Sequence, residues 1–148
     1  MSLTEYKSKR NLKKSKEPKA IKKSSKKEIF VVQKHFASHL HYDLRLEFNG
    51  VLKSWAIPKQ PPTAKGIKRL AIQVENHPLG YAKFHGKIPE GQCGAGKVEI
   101  WDKGNYELIE KTSKKIIFNL KGKKLKGEYC LIKAGYGDKK KGWLLFKK

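Results

Sequence analysis

The chain has 148 residues, enough for one domain with a single modest core, and a formal net charge of +22 from 35 Lys+Arg against 13 Asp+Glu. That excess calls for a polyanionic partner. With no apolar run of bilayer length, no signal-peptide pattern and no amphipathic basic helix, nucleic acid is favoured over a membrane. Cys93 and Cys130 form no CxxC pair, which excludes a zinc ribbon and reads as two free thiols of a cytoplasmic protein.

Residues 1–28 hold 11 Lys+Arg and 3 Asp+Glu, a net of +8, with few apolar residues and no period. They read as a basic, flexible N-terminal arm whose composition favours solubility or non-specific phosphate attraction. Residues 29–148 form the folded domain, which is basic in its own right at +14. Here the reading is mostly strand. "LHYDLRLEF" alternates apolar with polar, and Asn49-Gly50 is a two-residue hairpin signal before "VLKSWAIP". "PKQPPTAKG" is a loop, and "TAKGIKR" has room for a short helical turn. "RLAIQVE" alternates again, with Leu70, Ile72 and Val74 on one face. A long Gly/Pro-rich connection follows, in which "PEGQCGAGK" lacks the spacing of a phosphate-binding loop. "KVEIWDKGNYELIE" predicts a hairpin turning at Lys103-Gly104, and "KIIFNLKG", "LKGEYCLIK" and "GWLLFKK" complete the strands. Many short strands with turn signals point to an antiparallel sandwich or closed barrel.

The chemistry concentrates in "QKHFASHLHYDLRLEFNG". A hairpin turning at Asn49-Gly50 pairs Phe48 with Val51, Leu46 with Lys53, Leu44 with Trp55 and Tyr42 with Ile57, which makes a core face. The opposite face carries His41, Asp43, Arg45 and Glu47 over Ala56, Ser54 and Leu52. Side chains two apart on a strand stand ~7 Å apart, so His41 and Asp43 can converge on one metal with Arg45 reaching beyond. His35 shares their parity, but "FAS" must bulge or turn to bring it back. Two imidazoles and a carboxylate suit Mn²⁺, Fe²⁺ or Zn²⁺ with open positions. A solvent-facing polar strand explains the spacing about as well, and His39 reads as a surface residue. On the next strand Arg69, Gln73, Glu75 and His77 share a parity, with Tyr81 nearby. An Arg, a His and a Tyr are donors for a phosphate-like oxyanion.

"FVVQKHFASHLHYDLRLEFNGVLKSWAIPK" and "RLAIQVENHPLGYAKFHGKIPEGQCGAGKVEIWDKGNYE" together resemble the 3′-phosphoesterase domain of the bacterial ligase D of nonhomologous end joining, which also occurs alone. The resemblance runs from about Phe30 to the C-terminus and is densest over 30–107. It implies a mainly β fold, a small antiparallel β-barrel with short helical turns, and a site in a groove on its outer surface. It implies a Mn²⁺-dependent enzyme that removes a 3′-terminal ribonucleoside and a 3′-phosphate from primer strands, leaving a 3′-OH for repair. His35, His41 and Asp43 would bind the manganese, with other divalent metals open. Arg45, His77 and Tyr81 would surround the scissile phosphate, while Gln33, Lys59, Arg69 and Glu75 would line or support the groove. "YKSKRNLKKSKEP" resembles the family's arm in Tyr6, Arg10, Glu17 and Pro18, with Asn11 where the family has an acid.

The expected mechanism is metal-assisted phosphoryl hydrolysis on DNA or DNA/RNA primer–template 3′ ends, with a separate ligase or polymerase as partner. Arg45 and His77 would neutralise developing charge, and His77 is the favoured donor of a proton to the leaving group. The alternatives are a non-catalytic basic nucleic-acid-binding module and a zinc nuclease of broader specificity.

Overall fold

Alternating side chains become nine strands in a computed structural model that describes residues 28–89, 95–134 and 142–148. The strands are β1 (Glu28–Phe36), β2 (Leu40–Phe48), β3 (Val51–Ile57), β4 (Lys68–Pro78), β5 (Gly86–Ile88), β6 (Gly96–Lys111), β7 (Lys115–Lys121), β8 (Lys126–Lys133) and β9 (Gly142–Lys147). The nine strands pair antiparallel with one another, in the order β1-β2-β3-β4-β9-β8-β7-β6-β5, and β1 also pairs with β6. That last pairing closes eight strands into a barrel and leaves β5 as an extra strand against β6. Closure removes the exposed edges an open sheet would present.

The barrel interior holds Phe30, Leu44, Leu46, Trp55, Ile57, Phe118, Leu120, Tyr129 and Leu131, each no more than 1 % exposed. The predicted β2–β3 register is the observed one, from Phe48↔Val51 through Tyr42↔Ile57. It follows from the two-residue turn, in which Asn49 and Gly50 both take positive φ, 51° and 80°.

Three local expectations are corrected. No turn occurs at Lys103-Gly104: β6 runs unbroken for 16 residues, and Gly104 pairs with Phe30 inside it. The glycine is there for close backbone approach, because a Cβ would collide with the Lys121 carbonyl oxygen. "TAKGIKR" holds no helix; the helical turn is a 3-10 helix at Leu79–Lys83, inside the segment read as a connection. In β4 the core-facing residue is Ala71, and Gln73 also points inward, accepting a 3.2 Å bond from Trp143 Nε1. Ile72 and Val74 instead share the outer face with Ala56 and Ser54.

A second, smaller apolar cluster lies on the outer face. Ala82, Leu79 and Tyr81 of the 3-10 helix pack on Val31 and Leu52 of the sheet. This patch roofs part of the outer face of β1–β3, where the polar residues of β2 point. Residues 1–27, with Arg10 and most of the basic arm, lie outside the described residues, as do Cys93 and most of "PEGQCGAGK"; Cys130 is a buried free thiol.

Candidate active site

β1 and β2 form a hairpin around Ala37-Ser38-His39, pairing His35 with His41 and Gln33 with Asp43. A chain reversal therefore returns His35, and the three potential ligands meet on the outer face. Their ligand atoms lie within 4.8 Å of one another, a group that could hold a metal ion. Asp43 Oδ2 is the focus, 3.3 Å from His41 Nε2, 3.6 Å from His35 Nδ1 and 3.5 Å from Arg45 Nη2.

His41 Nδ1 stands 3.2 Å from the His39 carbonyl oxygen. A carbonyl only accepts, so Nδ1 carries a proton; Nε2, 3.3 Å from Asp43 Oδ2, donates to that carboxylate when the ring is protonated and offers its lone pair to an ion when it is neutral. This is the outer support that orients metal-binding imidazoles, and it fits the donor set to a divalent ion. His39 thus contributes through its backbone. The bond to Asp43 raises the His41 pKa. Burial alone would push the Asp43 carboxyl up, but His41, Arg45 and His35 together hold it below its usual value.

Arg45 is 4 % exposed and held from several sides. Its Nε donates to Gln33 Oε1 at 2.6 Å and its Nη1 to Ser54 Oγ at 2.8 Å. The Tyr81 ring lies 4.8 Å from its Cζ, and His77 Nδ1 lies 3.2 Å from Nη1. Burial lowers its pKa while Asp43 opposes that shift; a guanidinium stays charged. Gln33 in turn donates from Nε2 to the carbonyls of Tyr81 (2.8 Å) and Phe84 (3.1 Å), tying the 3-10 helix to the sheet. The space over Ser54 is thus filled by the Arg45 head, with Tyr81 above it.

His77 reaches this face by a β-bulge. Ser54 pairs with Val74 and Leu52 with His77, so Glu75 and Asn76 stand opposite Lys53 alone. The extra residue flips the parity of β4, turning His77 outward although Gln73 points inward. Its ring sits 4.7 Å from that of Tyr81. Burial, then the Arg45 charge, lowers its pKa. Burial likewise raises that of Tyr81, against the pull of Arg45.

The sequence model of the DNA Ligase D 3′-phosphoesterase domain matches residues 33–133, a span that includes every one of these side chains. The chain belongs to this family. It is 46 % identical to a multifunctional non-homologous end joining protein LigD of Pseudomonas aeruginosa over 98 % of its own length and 18 % of that protein's. To the protein of the same name from Mycolicibacterium smegmatis it is 43 % identical over 96 % of its length and 20 % of the relative's. A LigD DNA repair protein of Mycobacterium tuberculosis is likewise 43 % identical. The chain thus spans about a fifth of the length of the curated relatives it matches.

Of the positions singled out by resemblance to this ligase D domain, the structure gathers Gln33, His35, His41, Asp43, Arg45, His77 and Tyr81. Glu75 is exposed at the bulge, its carbonyl oxygen 3.1 Å from His77 Nδ1. Lys59 lies exposed just beyond β3, apart from the cluster's contacts. Arg69 shares the parity of Ala71, pairs with the core residue Leu145, and donates from Nε to the Gln60 carbonyl at 2.8 Å. Ser54 was visible in the sequence only as a small neighbour; its hydroxyl is a direct partner of Arg45.

Proposed function

We propose that this chain is a divalent-metal-dependent 3′-phosphoesterase that cleans nucleic-acid 3′ ends, removing a terminal ribonucleoside or a 3′-phosphate to leave a 3′-OH. The observation that carries the reading is one continuous cluster. A His-His-Asp group shares Asp43 with a buried arginine, and that arginine touches a histidine and a tyrosine. A non-catalytic binding module gives no reason to bury such charges, which are costly unless used or paired.

His35, His41 and Asp43 would hold the ion, manganese being our choice, and when bound it would supply Lewis-acid polarisation of a phosphoryl oxygen. Arg45 is locked by Gln33 and Ser54, so it need not reorganise as charge develops on the phosphoryl group. A guanidinium only donates and a carbonyl only accepts, so His77 Nδ1, 3.2 Å from Arg45 Nη1 and 3.1 Å from the Glu75 oxygen, satisfies one contact at a time; accepting from Arg45 places the neutral ring's proton on Nε2. With its pKa lowered, His77 serves as a neutral hydrogen-bond donor to the phosphoryl oxygens. This differs from the proton-donor role expected from sequence, which needs an imidazolium. The substrates would be DNA or DNA/RNA primer–template ends, with a separate ligase or polymerase acting next.

The test is a gel assay on 5′-labelled primer–templates ending in one ribonucleotide or a 3′-phosphate, with Mn²⁺, Mg²⁺, Zn²⁺ or chelator. Loss of only the terminal group, abolished by chelator and by His41→Ala or Asp43→Ala, is expected. Undiminished phosphate release by either variant would sink the metal assignment, and internal cleavage would favour a broader nuclease.

A further inference from the structure

A basic groove lies on the far side of the 3-10 helix from the cluster. Trp101, Lys83, Lys103, Lys123 and Lys124 are among the residues that line it. Lys103 pairs with Val31, and Val31 pairs with Arg45, so the two cations share one row of the outer face, two strands or roughly 10 Å apart. Lys83 closes the 3-10 helix, two residues beyond Tyr81. Trp101 is the extra residue of a bulge opposite Val32 and Gln33. It stands edge-on to Tyr42 with centroids 5.5 Å apart, and Lys124 Nζ lies 5.3 Å from its ring centre.

The lysine turn is built rather than merely exposed. Asp102 is 5 % exposed and accepts from the backbone N–H groups of Lys123 (2.9 Å), Lys124 (3.0 Å) and Leu125 (2.8 Å). A Cβ on Gly122 would meet the Asp102 carboxylate and the Phe30 ring, so the turn fits only with glycine there. The groove's one carboxylate is thus spent on backbone donors. Lys124 Nζ donates to the Trp101 carbonyl at 3.1 Å, and among the described residues none of the four lysines pairs with an acid.

We infer that this groove is a polynucleotide track: its lysines hold backbone phosphates of the nucleic acid whose 3′ end lies at Arg45, with Trp101 as an apolar wall for a sugar or base. Charge complementarity and continuity with the Arg45 row argue for this occupant. The inference rests on the reading of the cluster as a 3′-end site for its direction, but its test does not depend on catalysis.

The experiment measures fluorescence anisotropy of a labelled primer–template with a 3′-phosphate, in chelator, across a salt series. For the double variant Lys123→Gln/Lys124→Gln we expect affinity to fall about tenfold or more near 0.1 M salt. The magnitude of the log K against log salt slope should drop by about 1.8, the loss of two phosphate contacts. Lys111→Gln/Lys114→Gln, at the end of β6 and in the turn that follows it, should change neither. An unchanged slope in the first variant, or an equal drop in both, overturns the track. Since binding is read without metal, failure of the esterase assay would leave this result standing, and a failed track would leave the esterase reading intact.

Discussion

At the scale of single residues the site depends on Arg45. Its Nε and Nη1 are committed to Gln33 and Ser54, and Nη2 faces Asp43. Lysine carries the same charge but cannot make these bonds from one fixed plane. Arg45→Lys is therefore expected to reduce kcat/KM on a 3′-phosphate primer about 100-fold or more, a loss of the size seen when an oriented oxyanion donor is removed. Steady-state kinetics check this; activity within a fewfold of wild type would show that charge alone suffices there. The alternating "HYDLR" made the Asp43–Arg45 pair legible in sequence, because a strand period of two is local. Ser54 and the His39 carbonyl were not legible as partners. They act through a cross-strand neighbour and a turn, which become contacts only after folding.

At the scale of elements, glycine and bulges decide where side chains point. Lys103-Gly104 has the composition of a turn, yet β6 passes through it because Lys121 needs Gly104's missing side chain to approach. Gly104→Ala should lower stability by about 1–3 kcal/mol through that collision, measured as a shift in the urea midpoint. A neutral result would mean that the β6–β7 contact can spread. The β4 bulge has the opposite lesson. Strict alternation would put His77 and Gln73 on one face, whereas the extra residue opposite Lys53 separates them. The same residue types are present under either reading, so only the pairing with β3 shows which way His77 faces.

For the whole molecule, two buried tyrosine hydroxyls make the stability depend on alkaline pH. The Tyr129 hydroxyl, buried in the interior, donates to the Pro62 carbonyl at 2.8 Å, and its pKa is pushed up to about 12, first by burial. The Tyr106 hydroxyl, bonded to the Glu47 carbonyl at 2.5 Å, is raised as well by burial. An unfolded tyrosine ionises near pH 10. Between pH 10 and 12 the fold thus keeps protons that the unfolded chain has released, and its stability falls as pH rises; below pH 10 this contribution is constant. Tyr129→Phe should flatten part of that alkaline decline, seen by comparing urea midpoints of the variant and wild type at pH 8, 10 and 11.5. Parallel pH profiles would remove Tyr129 as a cause.

By itself the sequence determined the β class, the β2–β3 hairpin's register, the basic surface and the residue types of the cluster. Those follow from period-two alternation, turn chemistry and charge, all of which act over a few residues. The family resemblance already implied a small barrel; the tertiary structure alone decided that β1 closes it against β6, that His77 is turned outward, and that Arg69 faces away. It also placed the Leu79–Lys83 helix as a roof over Arg45. Each of these depends on pairing between distant strands, where one inserted residue or one absent Cβ reverses a face.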